Sequence, residues 1–199
     1  MAKLYFKYGA MGSSKTAQAL ITKFNYEERG MKVCLLKPAA DTRDGHDIIR
    51  SRIGLTAKAQ IVTPEQSIIE IIAMPENDNI DVVIVDEAQF LTTSQVDELR
   101  FLVSKMDLPV ICFGLRTDFL THMFPGSKRL MELAESITEI KTICKCGAKA
   151  IVNARLSPEG KVLTSGEQVF LGGNESYVAM CHKCWQDAID NNISVTKEE

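Results

Sequence analysis

Three groups of residues have the types and spacing to do chemistry. The first is GAMGSSKT at residues 9 to 16, a glycine-containing turn that leads into Lys15 and Thr16. When such a turn links a strand to a helix start, consecutive backbone N–H groups point at one anion and the helix dipole adds to the attraction. Lys15 would neutralise charge on the outer phosphates, and the Thr16 hydroxyl would coordinate Mg²⁺. A second glycine normally precedes the lysine of these loops, but Ser14 stands there. The expectation is that Ser14 keeps a negative φ in the first helical turn, where serine also caps well, while Gly12 supplies flexibility. Taken alone, these residues leave open a serine-capped helix with an incidental lysine.

The second group is the acidic pair that closes VVIVDEAQF. Neighbouring side chains on a strand point to opposite sides, so Asp86 and Glu87 need not do the same work. One can reach Mg²⁺ or its waters while the other faces a second ligand. An acidic pair opening a helix is the plainer alternative, favoured by the helix dipole. In an ATPase a glutamate here would orient water, whereas in a kinase it would accept the proton of a substrate hydroxyl. DEAQ superficially resembles helicase boxes, yet 199 residues are too few for two motor domains.

The third group comprises four of the six cysteines: Cys144-Lys-Cys146 and Cys181-His-Lys-Cys184. Four thiolates make a closed tetrahedral Zn²⁺ site, and the second pair has the usual two-residue spacer. With no position left for water, the metal would be structural, tying the ends of a long loop. His182 is poorly spaced as a substitute ligand, and independent reduced thiols are the alternative. The loop contains EQVFLGGNESYV, whose glycines allow close backbone approach to a ligand and whose Tyr177 offers a ring and a hydroxyl. An ordinary hairpin turn would look the same. Cys34 and Cys112 lie in apolar strand-like runs and read as small core residues.

Composition narrows the classes. Hydrophobic residues at 45% and charged residues at 25% fit a globular chain. The net charge of -3 argues against a broad nucleic-acid-binding face. No apolar run approaches the ~20 residues that span a bilayer. MAKLYFKYG, interrupted by Lys3 and Lys7, lacks a signal peptide's apolar core, so a reducing cytoplasmic location is expected.

Positioning these groups requires strands and helices in alternation. KLYFKYG, MKVCLLK, DVVIVDE and LPVICFG read as strands, with AQIVT a shorter one. SKTAQALITKFNYEERG places Ala17, Leu20, Ile21 and Phe24 at helical spacing and stops at Gly30. Further helices are predicted around residues 46 to 53, from Pro64 and Glu65 through EQSIIEIIAM, and over TTSQVDELRFLVSKM with Val96, Leu99 and Val103 inward. This order predicts an α/β fold with a mostly parallel sheet covered on both sides. Ligands then sit at the carboxyl ends of the strands, where YG, KPAADTR, DEAQF and GLRTDF converge. Residues 1–142 are read as this domain, 143–190 as a smaller cysteine-bracketed unit and 191–199 as a polar tail.

Together, GAMGSSKT, DTR, DEAQF, the cysteine pairs and GGNESY resemble the zinc-containing, cytosolic-type thymidine kinases, from about residue 3 to residue 186. The resemblance implies a P-loop NTPase-like sheet domain plus a small zinc-bound lasso that closes over the nucleoside. It implies transfer of the γ-phosphoryl group of ATP to the 5′-hydroxyl of thymidine, or deoxyuridine, with Mg²⁺. Gly9, Ala10, Met11, Gly12, Ser13, Ser14, Lys15 and Thr16 match the phosphate loop, and Asp41, Thr42 and Arg43 match an element near the phosphates. Glu87 matches the proton acceptor, with Asp86 beside the metal, Ala88 and Gln89 along the nucleotide region, and Lys15 and Arg43 offsetting phosphate charge. Met11, Phe90, Leu115, Phe119 and Phe124 match apolar walls of the nucleoside pocket. Gln168, Val169, Phe170, Leu171 and Gly172, with Tyr177, match the lasso that reads the base. Cys144, Cys146, Cys181 and Cys184 match zinc ligands. A homotetramer inhibited by thymidine triphosphate (dTTP) is also implied. Ser14 and the one-residue spacer of the first cysteine pair depart from the common pattern. Two other classes fit the motifs: a P-loop ATPase whose zinc unit binds nucleic acid or a protein, and a nucleotide-binding regulator without chemistry.

Overall fold

The computed structural model describes residues 1–41, 45, 47–168 and 176–195. In chain order these form β1 (Leu4–Tyr8), α1 (Lys15–Glu27), β2 (Val33–Pro38), β3 (Ile48–Arg50), β4 (Thr56–Lys58) and β5 (Gln60–Val62). Then come α2 (Ile68–Ile72), β6 (Val82–Val85), α3 (Thr93–Met106), β7 (Val110–Gly114), α4 (Pro125–Leu133) and β8 (Ser136–Glu139). The remainder is β9 (Thr142–Ile143), β10 (Lys149–Ala150), β11 (Val152–Arg155), β12 (Tyr177–Met180) and α5 (His182–Asp190).

Six strands form one sheet in the order β5-β2-β6-β7-β1-β8. Every pairing in it is parallel, with Phe6 opposite Cys112 and Cys112 opposite Val85 at its centre. β6 and β7 are buried at every position, as strands covered on both faces should be. Strand alternation sends Val83 and Val85 to a core shared with Leu99, Leu102 and Leu130 of α3 and α4. Val82 and Ile84 go to the opposite core, against Ala19 and Leu20 of α1. No helix of the described residues is long and apolar enough to cross a membrane.

Caps explain where the helices begin. α3 opens with a capping box between Thr92 and Gln95, and Val96, Leu99 and Val103 face inward as their spacing predicts. α2 is shorter than expected from Pro64. The Gln95 side chain donates to the carbonyls of Thr63 and Gln66, holding that stretch as a turn. The helix starts only after Ser67, where the Glu98 carboxylate accepts from the Ile68 amide at 2.5 Å. α1 runs as expected, but Ile21 and Phe24 are 46% and 61% exposed while Ala17, Ala19 and Leu20 turn inward.

The helix expected around residues 46 to 53 is corrected. Its described part enters a hairpin in which Ile49 of β3 faces Ala57 of β4. β-Branched Ile48 and Ile49 suit a strand, and Gly54 at φ 88° makes the turn. α4 and β8 were not anticipated; β8 is a short, half-exposed edge strand without an apolar run to mark it.

Beyond β8 the architecture changes to two-stranded antiparallel pairs, β9–β10 and β11–β12, followed by α5. Their core is Cys144, Ala150, Ala154, Met180, Cys181 and Ala188.

Candidate active site

β1 delivers the chain into the phosphate-type loop, and the close approach there requires Gly9. A Cβ on it would lie 2.3 Å from the Ile140 carbonyl oxygen and 2.4 Å from Ser13 Oγ. Lys15 is buried, with Nζ 2.9 Å from the Ala10 carbonyl oxygen and 3.4 Å from Ser13 Oγ, so its ammonium is held by the loop it serves. Gly12 has φ 78°, as a glycine turn would. Ser14 departs from expectation. It sits at the N-cap of α1 with φ 61° and ψ 26° and makes no side-chain cap hydrogen bond. Serine therefore occupies the left-handed conformation that a glycine would adopt freely, and capping is not its role.

β6 ends at the acidic pair. One strand, β7, separates it from β1, a gap of roughly 10 Å at two strand spacings. The start of α1 bridges that gap, because the Thr16 hydroxyl hydrogen-bonds Asp86. Asp86 is fully buried; desolvation and the adjacent Glu87 carboxylate push its pKa up to about 7, against the opposing pull of Thr16 and Lys15. A divalent cation held between the Thr16 hydroxyl and this carboxylate would reverse that penalty, so the donor set fits Mg²⁺. Glu87 is buried at φ 51°, a strained conformation of the kind that collects at functional sites.

Gln89 braces this carboxylate. Its Nε2 donates to Glu87 Oε2 at 2.5 Å, and its Oε1 accepts from the Leu115 amide at 2.9 Å. Gly126 of α4 packs against the same turn, since a Cβ there would meet the carbonyl oxygens of Leu91 and Ala88 at 2.6 and 2.8 Å. Ala88 is buried in the sheet core. Gln89 and Ala88 are thus supports behind the site.

A cavity of about 650 Å³ opens in front of the loop. Met11, Gly12, Ser14, Lys15, Thr16, Asp41, Asp86, Glu87 and Leu115 line it. Its other wall is the β3–β4 hairpin, from Ile49 through Gly54, including Arg50 and Arg52. An Arg52 guanidinium nitrogen comes within 3.7 Å of where a Cβ on Gly12 would stand. The sequence reading missed Arg52 because it placed a helix there. It also missed Lys37, fully buried at the end of β2, whose Nζ is bonded to the Ile48 carbonyl oxygen at 3.0 Å and lies 3.7 Å from Asp41. A lysine closing an otherwise apolar strand was the available signal. Thr42 and Arg43 lie outside the described residues.

Of the predicted apolar wall, Met11 and Leu115 line this cavity, whereas Phe90, Phe119 and Phe124 are not among its lining residues. Phe90 and Phe124 meet edge to face at 5.8 Å, and Phe119 is buried under the Arg155 guanidinium, 5.1 Å from its ring centre. Gln168 donates to Asp118 at 2.9 Å, joining the start of the predicted lasso to the loop that carries Phe119. Tyr177 is half-buried; desolvation raises its phenol, as does Asp118, while Arg155 lowers it. Val169, Phe170, Leu171 and Gly172 lie outside the described residues.

Cys144, Cys146, Cys181 and Cys184 come together with their sulfurs all within 4.8 Å of one another. The 3.7 Å between Cys146 and Cys181 Sγ matches the ~3.8 Å edge of a tetrahedron with Zn–S bonds of ~2.3 Å. All four thiols are free, so the cluster is compatible with a structural metal site. Desolvation raises the Cys144 thiol, but amides and thiols of Cys146 and Cys181 outweigh it and bring it to about 7. Cys34, by contrast, is pushed up to about 12 by burial, and Cys112 is also raised by burial, as suits core thiols.

A parallel sheet, a lysine-bearing loop at a helix start and an acidic pair one strand away define a phosphate-loop α/β protein. The family model described as Thymidine kinase matches residues 2–185, and the chain belongs to that family. Proteins named Thymidine kinase from Yersinia pestis and Shewanella oneidensis are 46% and 44% identical to it over 190 residues, covering 95% of this chain and 97% and 99% of theirs. One from Salmonella choleraesuis is 44% identical over 200 residues, covering 100% of this chain and 98% of its own. The solved Pif1 helicase of Candida albicans overlaps 71% of this chain and 36% of its own at a TM-score of 0.41 and 13% identity, too loosely to bear on function.

Proposed function

We propose that this chain phosphorylates thymidine, transferring the γ-phosphoryl group of ATP to the 5′-hydroxyl to give thymidine monophosphate and ADP in nucleotide salvage. The 5′-oxygen attacks the γ-phosphorus, the bond from that phosphorus to the β–γ bridging oxygen breaks, and Glu87 accepts the hydroxyl proton. The observation that carries this reading is the placement of Glu87 in one cavity with Lys15, Thr16 and Asp86. Lys15 and backbone amides at the start of α1 hold the triphosphate, with Arg52 and Arg43 adding positive charge. Thr16 and Asp86 would hold Mg²⁺, which would supply neutralisation of phosphate charge.

Residues 1–142 serve as the ATP-binding domain. Residues 143–190 form a zinc-tied lasso that closes over the base through residues 168 to 172 and Tyr177, excluding water and limiting futile hydrolysis. Phe90, Leu115, Phe119 and Phe124 wall the nucleoside, and residues 191–199 are a tail. The four cysteines hold Zn²⁺, which supplies folding energy rather than chemistry because no coordination position is left for substrate. A cytoplasmic homotetramer inhibited by dTTP completes the proposal.

The test is incubation with Mg·ATP and a panel of nucleosides, followed by separation of products. Thymidine monophosphate is expected, with deoxyuridine as the alternative acceptor. Phosphate release indifferent to nucleosides would overturn the reading in favour of an ATPase.

A further inference from the structure

Asn153 lies on β11, in the region held by the cysteines, yet its side chain is buried against the phosphate loop. Its Oδ1 accepts from the Met11 amide at 2.7 Å, and its Nδ2 donates to the Thr117 carbonyl at 2.9 Å. Both partners are backbone groups of fixed polarity, so one orientation of the amide satisfies both. Met11 belongs to the phosphate loop. Thr117 heads the turn that carries Phe119, and that turn is itself fixed by the Asp118 carboxylate accepting from the Leu120 and His122 amides at 2.9 Å. One side chain, 2% exposed, thus ties three segments of distant sequence.

We infer that Asn153 is a positioning residue that locks the phosphate loop to the Thr117–Phe119 wall, so that the cysteine-held region sets the geometry of both substrate sites. Met11 N–H, turned to Asn153, is committed to shaping the loop. Asparagine suits the place because the joint needs a donor and an acceptor on one short head. Aspartate would keep the acceptor for Met11 but set a carboxylate against the Thr117 carbonyl, and alanine would lose both bonds. The inference rests on the proposed function only in its choice of thymidine as the second substrate.

Asn153→Ala and Asn153→Asp test it, using Mg·ADP affinity by titration, KM for thymidine and ATP, and melting temperature. Loss of two hydrogen bonds in Asn153→Ala is expected to weaken Mg·ADP about tenfold and to raise the thymidine KM by a similar factor. Asn153→Asp is expected to raise the thymidine KM about tenfold while leaving Mg·ADP affinity within about threefold. That split is one a merely structural residue would not produce. Wild-type constants for both substrates in Asn153→Ala would overturn the inference. So would equal losses for both substrates in Asn153→Asp, tracking a fall in melting temperature. If Asn153→Ala fails to fold, Asn153→Asp decides alone. If the wild-type protein makes no thymidine monophosphate, the proposed function fails, while the Mg·ADP titration still tests the loop.

Discussion

Around the parallel sheet, burial does the holding: Leu4, Phe6, Val83, Val85, Leu99 and Leu102 pack on one face, and Ile84, Ile111 and Phe113 on the other. From Cys144 onward the buried apolar residues are two cysteines, three alanines, Val152 and a methionine, with Val162, Val178, Trp185 and Val195 partly buried beside them. This core is smaller than either core of the sheet and removes less apolar area from water, so the second region rests less on that force. The cysteine cluster, compatible with a structural metal, is the candidate cross-link. The contrast also divides labour: Lys15, Thr16, Asp86 and Glu87 sit on strand ends and a helix start, where small displacements are resisted, while Tyr177 begins a strand of the short β11–β12 ribbon. Groups that position a transferring phosphoryl need the first kind of support, and the lasso proposed to close over the nucleoside would be better served by the second.

Removing the proposed zinc should break the comparison most severely. Chelation, or Cys181→Ser, is expected to reduce thymidine phosphorylation to background and abolish thymidine binding, while far-UV circular dichroism from the sheet and its helices persists. Activity unchanged after verified metal loss would mean that the small core suffices. Arg52→Ala probes the sheet side of the cavity. Loss of a charge-assisted contact to phosphate is expected to raise the KM for ATP by about 10- to 100-fold and leave thymidine affinity near normal. An unaltered ATP KM would remove the hairpin from the site. The smallest effect is Ser14→Gly. Relief of a left-handed serine, partly offset by glycine's greater unfolded-state freedom, is worth up to about 1 kcal/mol, or a melting temperature higher by about 2–4 °C. A fall in melting temperature would show that Ser14 makes a compensating interaction.

What could be read from the sequence follows the same division. β6 and β7 announced themselves as apolar runs, and α3 by its Thr92 cap and inward stripe, because a two-faced buried sheet imposes those patterns. The phosphate loop, the acidic pair and the paired cysteines were legible because their chemistry constrains residue type and spacing. The β3–β4 hairpin was misread as a helix, since Ile48–Arg50 is too short a stretch to display a period. Ser14's backbone, Arg52 and Asn153 were invisible for a different reason. Each acquires its role from a partner remote in sequence or from a single dihedral angle, and neither leaves a pattern in neighbouring residues.

The most direct measurement is turnover of Glu87→Gln with thymidine and Mg·ATP, alongside titrations of thymidine and Mg·ADP. Both ligands should bind with near wild-type affinity while turnover falls by about 10²–10⁴-fold, the usual contribution of a general base. Turnover close to wild type would contradict the account, because the carboxylate beside the phosphate loop would then not be the group that accepts the proton.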